Sequence, residues 1–155
     1  MIAIFRRDAL QQTVTRDGPG LALWRVGDPG NVGTLIRSVD ALGGAFVALS
    51  DGCADPTGPK AVRASMGALF RVPLLRFEDA PRPWIALVPR RGDQLRAIEA
   101  GAYLLGSERE GLPEEVLAQC DERATIPLGA GAESLNVAMA GTIALYEVSR
   151  RTSSS

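Results

Sequence analysis

Short, continuous apolar runs that alternate with helix-length segments narrow the fold of this chain more than any other feature. LALWRV (21–26), AFVALS (45–50), LFRVPLL (69–75), WIALV (84–88), AYLLG (102–106) and RATIPL (123–128) each read as a strand. Between them, helices are expected from about Val32 to Leu42, near Pro59–Gly67, over Asp93–Ala100 and over 113–120, with a closing helix over 134–150. Strands that are apolar on both sides and separated by helices belong in a parallel sheet. The expected fold class is therefore α/β, a mostly parallel sheet with helices on both faces.

The 155 residues suit one domain, and a hydrophobic share of 46% is enough to bury its core. No window approaches ~18 consecutive apolar residues, so no membrane span is expected. The first residues, MIAIFRRDALQQTVTRDG, lack the basic-then-apolar layout of a signal peptide. A cytoplasmic protein is expected. Residues 1–20 read as an N-terminal extension or remnant linker, 21–150 as the domain, and 151–155 as a disordered tail.

Composition excludes several chemistries. There is no histidine, so Ser-His-Asp and Cys-His catalysis and His-ligated metals are out of reach. Cys53 and Cys120 lack CxxC spacing and read as small buried thiols rather than as ligands of a zinc or iron–sulfur site. No metal is expected. A cytosolic setting leaves both thiols reduced. Seventeen basic residues against 18 acidic give a net charge of −1, which argues against a broad cationic face. All the basic residues except Lys60 are arginine, whose planar fork pairs bidentately with phosphate. Nucleic-acid binding would have to rest on local clusters: Arg6–Arg7, Arg63 with Arg71, and Arg90–Arg91.

Three segments carry chemistry. In GDPGNVGTLIRSVDALG (27–43), Asn31 reads as the helix cap, with Leu35, Val39 and Leu42 as the buried stripe. Its glycines run G-x-x-G-x-x-G, the wrong spacing for a dinucleotide-binding turn. Arg37 falls four residues after Gly33, and helical side chains lean toward the N-terminus. It is expected over the gap that Gly33 leaves, pointing at Asn31. A cation at that positive helix end is unfavourable unless an anion lies between. The candidate is a phosphate or carboxylate site; the alternative is an ion pair with a nearby acid.

LLGSEREGLP (104–113) stands at a strand end and is not a P-loop. Gly106 and Gly111 bracket a tight turn, and Glu108 falls at the carboxyl edge of the sheet, where ligands bind in open α/β folds. In TIPLGAGAESLNVAMAGTIALYEVSRR (125–151), Ser134 opens the closing helix. Leu135, Met139, Ile143 and Tyr146 form a stripe that is core or subunit interface, while Ala138, Ala140, Gly141 and Ala144 keep the other faces small. Ser134 and Asn136 are a cap or face a ligand.

These segments, in this order, resemble the SpoU (TrmH-type) family of RNA ribose 2′-O-methyltransferases, members of the SPOUT class. The matching motifs are N-x-G-x-x-x-R at Asn31, Gly33 and Arg37, and G-x-E-x-x-G at Gly106, Glu108 and Gly111. The third is I-P-x…S-L-N at Ile126, Pro127, Ser134, Leu135 and Asn136. PKAVRASMGALFRVP (59–73) is similar to the ribosomal-RNA-modifying and thiostrepton-resistance branch.

The resemblance implies a trefoil-knotted α/β domain, a homodimer, and S-adenosylmethionine held by the knot loops. Its binding residues would be Leu105, Gly106, Ser107, Ile126, Leu128, Ser134, Leu135 and Asn136, with glycine at 106 letting the backbone approach the cofactor. Arg37 would help activate the ribose hydroxyl with an RNA phosphate assisting, and Asn31, Glu108 and Asn136 would complete the catalytic set. The substrate would be RNA, ribosomal before transfer RNA. Ribosomal-branch members carry an N-terminal recognition domain for which this chain has no room. The alternative is a dimeric, cofactor-binding RNA-binding domain that is inactive without that domain.

Overall fold

The computed structural model of the chain describes residues 6, 10, 13, 14, 17–90, 92–95 and 101–152. Its strands are β1 (Gly20–Leu23), β2 (Val47–Leu49), β3 (Leu74–Arg76), β4 (Trp84–Leu87), β5 (Asp93–Gln94), β6 (Ala102–Leu105) and β7 (Glu122–Thr125). Its α-helices are α1 (Pro29–Ala41), α2 (Pro59–Ser65), α3 (Glu114–Leu117) and α4 (Val137–Thr152). The strands form one sheet in the order β3-β2-β1-β6-β4-β7-β5. Every strand pairing in it is parallel.

Side-chain size sorts the two faces, because successive strand residues point to opposite sides. Leu21, Leu23, Ile85, Tyr103 and Leu105 share one face with Leu35, Ile36 and Val39 of α1 and Ala144 and Leu145 of α4. Each such aliphatic side chain, fully buried, contributes about 1.5–3 kcal/mol. The intervening Ala22, Ala48, Ala86 and Ala102 leave the opposite face shallow. Aromatics fill it: Phe46, Phe77 and Trp84, with Val116 of α3. Among the described residues, the expected helices on both faces are thus unequal in weight: long on one side, and on the other the short α3 with a 3-10 turn at Phe77–Asp79 and aromatics.

Gly141 sets how closely α4 crosses the sheet. A Cβ there would lie 2.8 Å from Leu105 Cδ1 and 3.3 Å from Leu21 Cδ1. Alongside it, Ser38 and Thr142 share a hydroxyl hydrogen bond of 2.7 Å that ties α1 to α4. In the N-terminal segment, Leu10 is buried in the same core.

Several boundaries differ from the sequence reading. Strand β1 ends at Leu23, because Arg25 takes a left-handed φ of 51° and turns the chain away. The strand expected over 69–75 starts late: Gly67, at φ 83°, leads into a 3-10 turn at Ala68–Phe70, and β3 begins only after Pro73. Asp93 and Gln94 form a strand against Ala124 and Thr125 rather than the start of a helix; residues 96–100 lie outside the described residues. The closing helix opens at Val137, not Ser134, and reaches Thr152; 153–155 lie outside the described residues. No helix among the described residues is long and apolar enough to cross a membrane.

Candidate active site

Helix α1 is capped by Asp28, not by Asn31. The Asp28 carboxylate accepts the Asn31 backbone N–H at 2.9 Å, and Pro29 fills the first turn, where its missing N–H leaves nothing unpaired. Lys60 donates to Asp28 at 2.8 Å. That bond and the Asn31 N–H hold the Asp28 carboxyl below its ordinary value.

With Asp28 as the cap, the Asn31 side chain is free to join two other segments. Its Nδ2 donates to Glu108 Oε1 at 3.0 Å, and its Oδ1 accepts from Asn136 Nδ2 at 3.2 Å. Asn136 Oδ1 in turn accepts the N–H groups of Ala138 (2.9 Å) and Met139 (3.3 Å), which makes Asn136 the cap of α4. The backbone N–H groups fix the orientation of the Asn136 amide, and Glu108 fixes that of Asn31. The three sequence motifs therefore meet in one hydrogen-bonded chain.

Glu108 ends that chain with its oxygens already engaged. Besides Asn31, the N–H groups of Gly27 and Asp28 donate to it at 3.3 Å each. Partial burial pushes its carboxyl upward, but the Asn31 amide and the backbone donors outweigh this and hold it below the ordinary value. A carboxylate held by so many donors fixes neighbouring groups in place and makes a poor proton acceptor.

The β6 loop that carries Glu108 closes on itself. Ser107 and Gly111 exchange backbone hydrogen bonds of 3.0 and 3.2 Å, and Ser107 Oγ accepts the Glu110 N–H at 3.1 Å. A Cβ on Gly106 would overlap the backbone of Gly111 and Leu112. Glycine at 106 is thus required by this self-closure, in keeping with the tight turn that Gly106 and Gly111 were expected to bracket.

Between this loop and its neighbours lies a cleft of about 580 Å³. Its walls come from the segments after β4, β6 and β7, at the carboxyl ends of the strands. The chain first builds outward from β1 to β3 and then returns to build beyond β6, so the sheet reverses direction at β1 and β6, the place where open α/β sheets bind ligands. Leu105, Gly106, Ser107, Ile126, Leu128, Ser134, Leu135 and Asn136 all line the cleft, as does Glu108. Sequence reasoning missed Leu87, Val88 and Pro89, which line it too. Their apolar run carries no motif, and only strand order brings them there. No group of three or more His, Cys, Asp or Glu able to hold a metal occurs among the described residues.

Arg37 stands apart. It is exposed on α1 and engages no hydrogen bond or ion pair among the described residues. It also does not line the cleft. The gap expected at Gly33 is filled: a Cβ there would overlap Ala61 O and Ala64 Cβ of α2, so this glycine serves close packing of the two helices. Of the arginine clusters, Arg71 is paired with Asp40 at 2.6 Å, while Arg63 and Arg90 are exposed. Arg7 and Arg91 lie outside the described residues.

The family model for the SpoU rRNA Methylase family matches residues 20–146. The chain belongs to this family. Among its relatives, the 23S rRNA (uridine(2479)-2′-O)-methyltransferase of Streptomyces viridochromogenes is 32% identical over 159 residues, covering 89% of this chain and 54% of its own. The SpoU methyltransferase AviRb from Streptomyces viridochromogenes, solved in complex with AdoMet, superposes with a TM-score of 0.82 at 30% identity, over 97% of this chain and 66% of its own. A structure from a study of 2-OH methylation of C/U34 on tRNA has a TM-score of 0.77 at 31% identity, over 88% of this chain and 97% of its own. The chain spans about half the length of the curated relatives it matches. These SpoU likenesses cover the sheet and all three motif segments.

Proposed function

We propose that this SpoU domain transfers a methyl group from S-adenosylmethionine to a ribose 2′-hydroxyl of RNA. The observation that carries the proposal is the Asn136–Asn31–Glu108 chain, which gathers all three motifs at the mouth of one cleft. The cleft fits the cofactor in size and chemistry. Its volume lies in the range of small-molecule sites, its floor is apolar (Leu105, Leu112, Val137), and its rim offers main-chain groups and the Ser134 and Asn136 side chains. Main-chain groups around Leu105–Ser107, Ile126–Leu128 and Ser134–Asn136 hold the cofactor. When bound, S-adenosylmethionine supplies an electrophilic methyl group on a sulfonium.

The chain's own residues then handle the acceptor. Asn31 and Asn136 orient the ribose, held in place by Glu108. A guanidinium keeps its proton, so Arg37 acts as a fixed cation. It grips an RNA phosphate beside the reacting ribose and so helps to activate the 2′-hydroxyl, whose proton would leave to solvent as the methyl group passes from sulfur to oxygen. Arg37 lies about 9 Å along α1 from Asn31.

Ribosomal RNA is the substrate class, supported by the 23S rRNA relatives. A homodimer completes the reading. Met139 is 61% exposed and Tyr146 51%, along the outer stripe of α4 that begins at the cleft. Of the two roles open to that stripe, its exposure favours the interface, and its occupant is a second copy of this chain. The trefoil crossing and a cytoplasmic setting belong to the same proposal.

The test is transfer of a labelled methyl group from S-adenosylmethionine to 23S rRNA, followed by digestion to nucleosides. Label in a 2′-O-methylated nucleoside is the expected result. Label in a base would overturn the proposed chemistry. Cofactor binding without any transfer would favour the alternative, a domain that depends on a separate recognition element.

A further inference from the structure

A second, smaller cavity of about 120 Å³ lies on the other side of the β6 loop, bounded by Trp24, Arg25, Glu110 and Glu115. Ser107, Glu110 and Gly111 line both cavities, so a single loop divides them. The small one opens at the ends of β1 and β6, beside Gly27 and Asp28, whose N–H groups hold Glu108. Its volume suits one flat heterocycle rather than a whole nucleotide.

The lining is built for a ligand carrying both hydrogen-bond donors and acceptors. The side chains of Arg25, Glu110 and Glu115 form no hydrogen bond or ion pair among the described residues, although all three face one small space. Arg25 is held there against its own preference. Its φ of 51° lies in the left-handed region, which is costly for a residue with a Cβ. Its backbone N–H donates to Ser50 Oγ at 2.9 Å, and its stem packs over Gly52, where a Cβ would come within 3.2 Å of Arg25 Cγ. Strain sustained by specific partners points to use of the side chain. Trp24 is braced in turn: its ring meets Phe77 edge-on at 5.2 Å, and Phe77 meets Trp84 at 5.5 Å. The Arg25 guanidinium sits 5.9 Å from the Trp24 ring centroid, the outer limit of a cation–π contact, so it can be displaced at little cost.

Resting on the methyltransferase reading, we propose that this cavity receives the nucleobase of the target nucleotide and that guanine is the base it fits. Trp24 supplies a stacking face for an unstacked base. Arginine pairs with the O6 and N7 acceptors of guanine. A carboxylate from Glu110 or Glu115 accepts from the N–H and amino groups on the opposite edge. Uracil offers no N7 and no amino group, so it leaves both charges poorly matched.

The test uses the whole chain, guanosine and uridine 5′-monophosphates as probes, and tryptophan fluorescence as readout, with S-adenosylhomocysteine titrated separately by calorimetry. The expected result is quenching by the guanosine nucleotide at a concentration at least fivefold below that for uridine. Arg25→Ala and the milder Arg25→Gln would weaken guanosine binding tenfold or more, and Trp24→Phe would abolish the quench. All three variants should bind S-adenosylhomocysteine as the parent does, which also shows that they are folded. Equal quenching by both nucleotides, or a guanosine response indifferent to Arg25, overturns the inference. Guanosine-selective quenching without S-adenosylhomocysteine binding supports the base site and overturns the methyltransferase reading instead.

Discussion

At the scale of single residues, the site depends on which side chains are left over once the helix ends are capped. The sequence contained Asp28 and Asn31 three positions apart, and either could have capped α1. Asp28 does so because Pro29 follows it in the first turn, and Asn31 is released to bridge Glu108 and Asn136. Spacing alone could not separate these roles, since the bridge links positions far apart in the chain. Glu108 has a folded-state carboxyl held below its ordinary value, so its stabilising contribution is full above the ordinary carboxylate range. That contribution is lost as the pH falls through the lower folded value. Glu108→Gln should therefore flatten the acid side of a stability–pH profile measured by urea unfolding. An unchanged profile would mean that the bridge contributes nothing to folding. Arg37 lies outside the cleft, so Arg37→Ala should leave cofactor affinity intact while methyl transfer falls roughly 100-fold or more. An undiminished transfer rate would remove Arg37 from the mechanism.

At the scale of elements, strand and helix order was legible because each strand is a short apolar run bounded by turn residues. Strand ends were not, because an apolar residue beyond the pairing looks the same as one within it. Trp24 extends the run of β1 and still donates its N–H to Leu105 O at 2.8 Å, but the chain turns away at Arg25, and Trp24 lines the smaller cavity. Gly106 was legible as the start of a tight turn, and its backbone neighbours there leave no room for a Cβ. Gly33 was read as leaving a gap under Arg37, whereas it accommodates the backbone of α2. Gly33→Ala must separate α1 from α2, since the obstructing Ala61 O is main chain and cannot swing aside. A loss of about 1–3 kcal/mol is expected, the usual cost of overpacking, measured as a shift in the denaturation midpoint. A neutral result would show that the helices can part without penalty.

At the scale of the whole molecule, strand order decides where function can sit. Inserting β6 between β1 and β4 brings the loops after β4, β6 and β7 around one cleft and sets the start of α1 beside it. Nothing in the local sequence announces that order, because parallel strands pair across the segments that separate them in the chain. The outer stripe of α4 is the face proposed for a homodimer. Tyr146→Glu should reduce the molar mass found by light scattering from two chains to one, and a parent protein that is already a single chain would contradict the dimer. The central claim is that the cleft holds S-adenosylmethionine, and calorimetric titration of the purified chain with S-adenosylmethionine and S-adenosylhomocysteine tests it most directly. Both are expected to bind at one per chain. A folded protein that binds neither would contradict it.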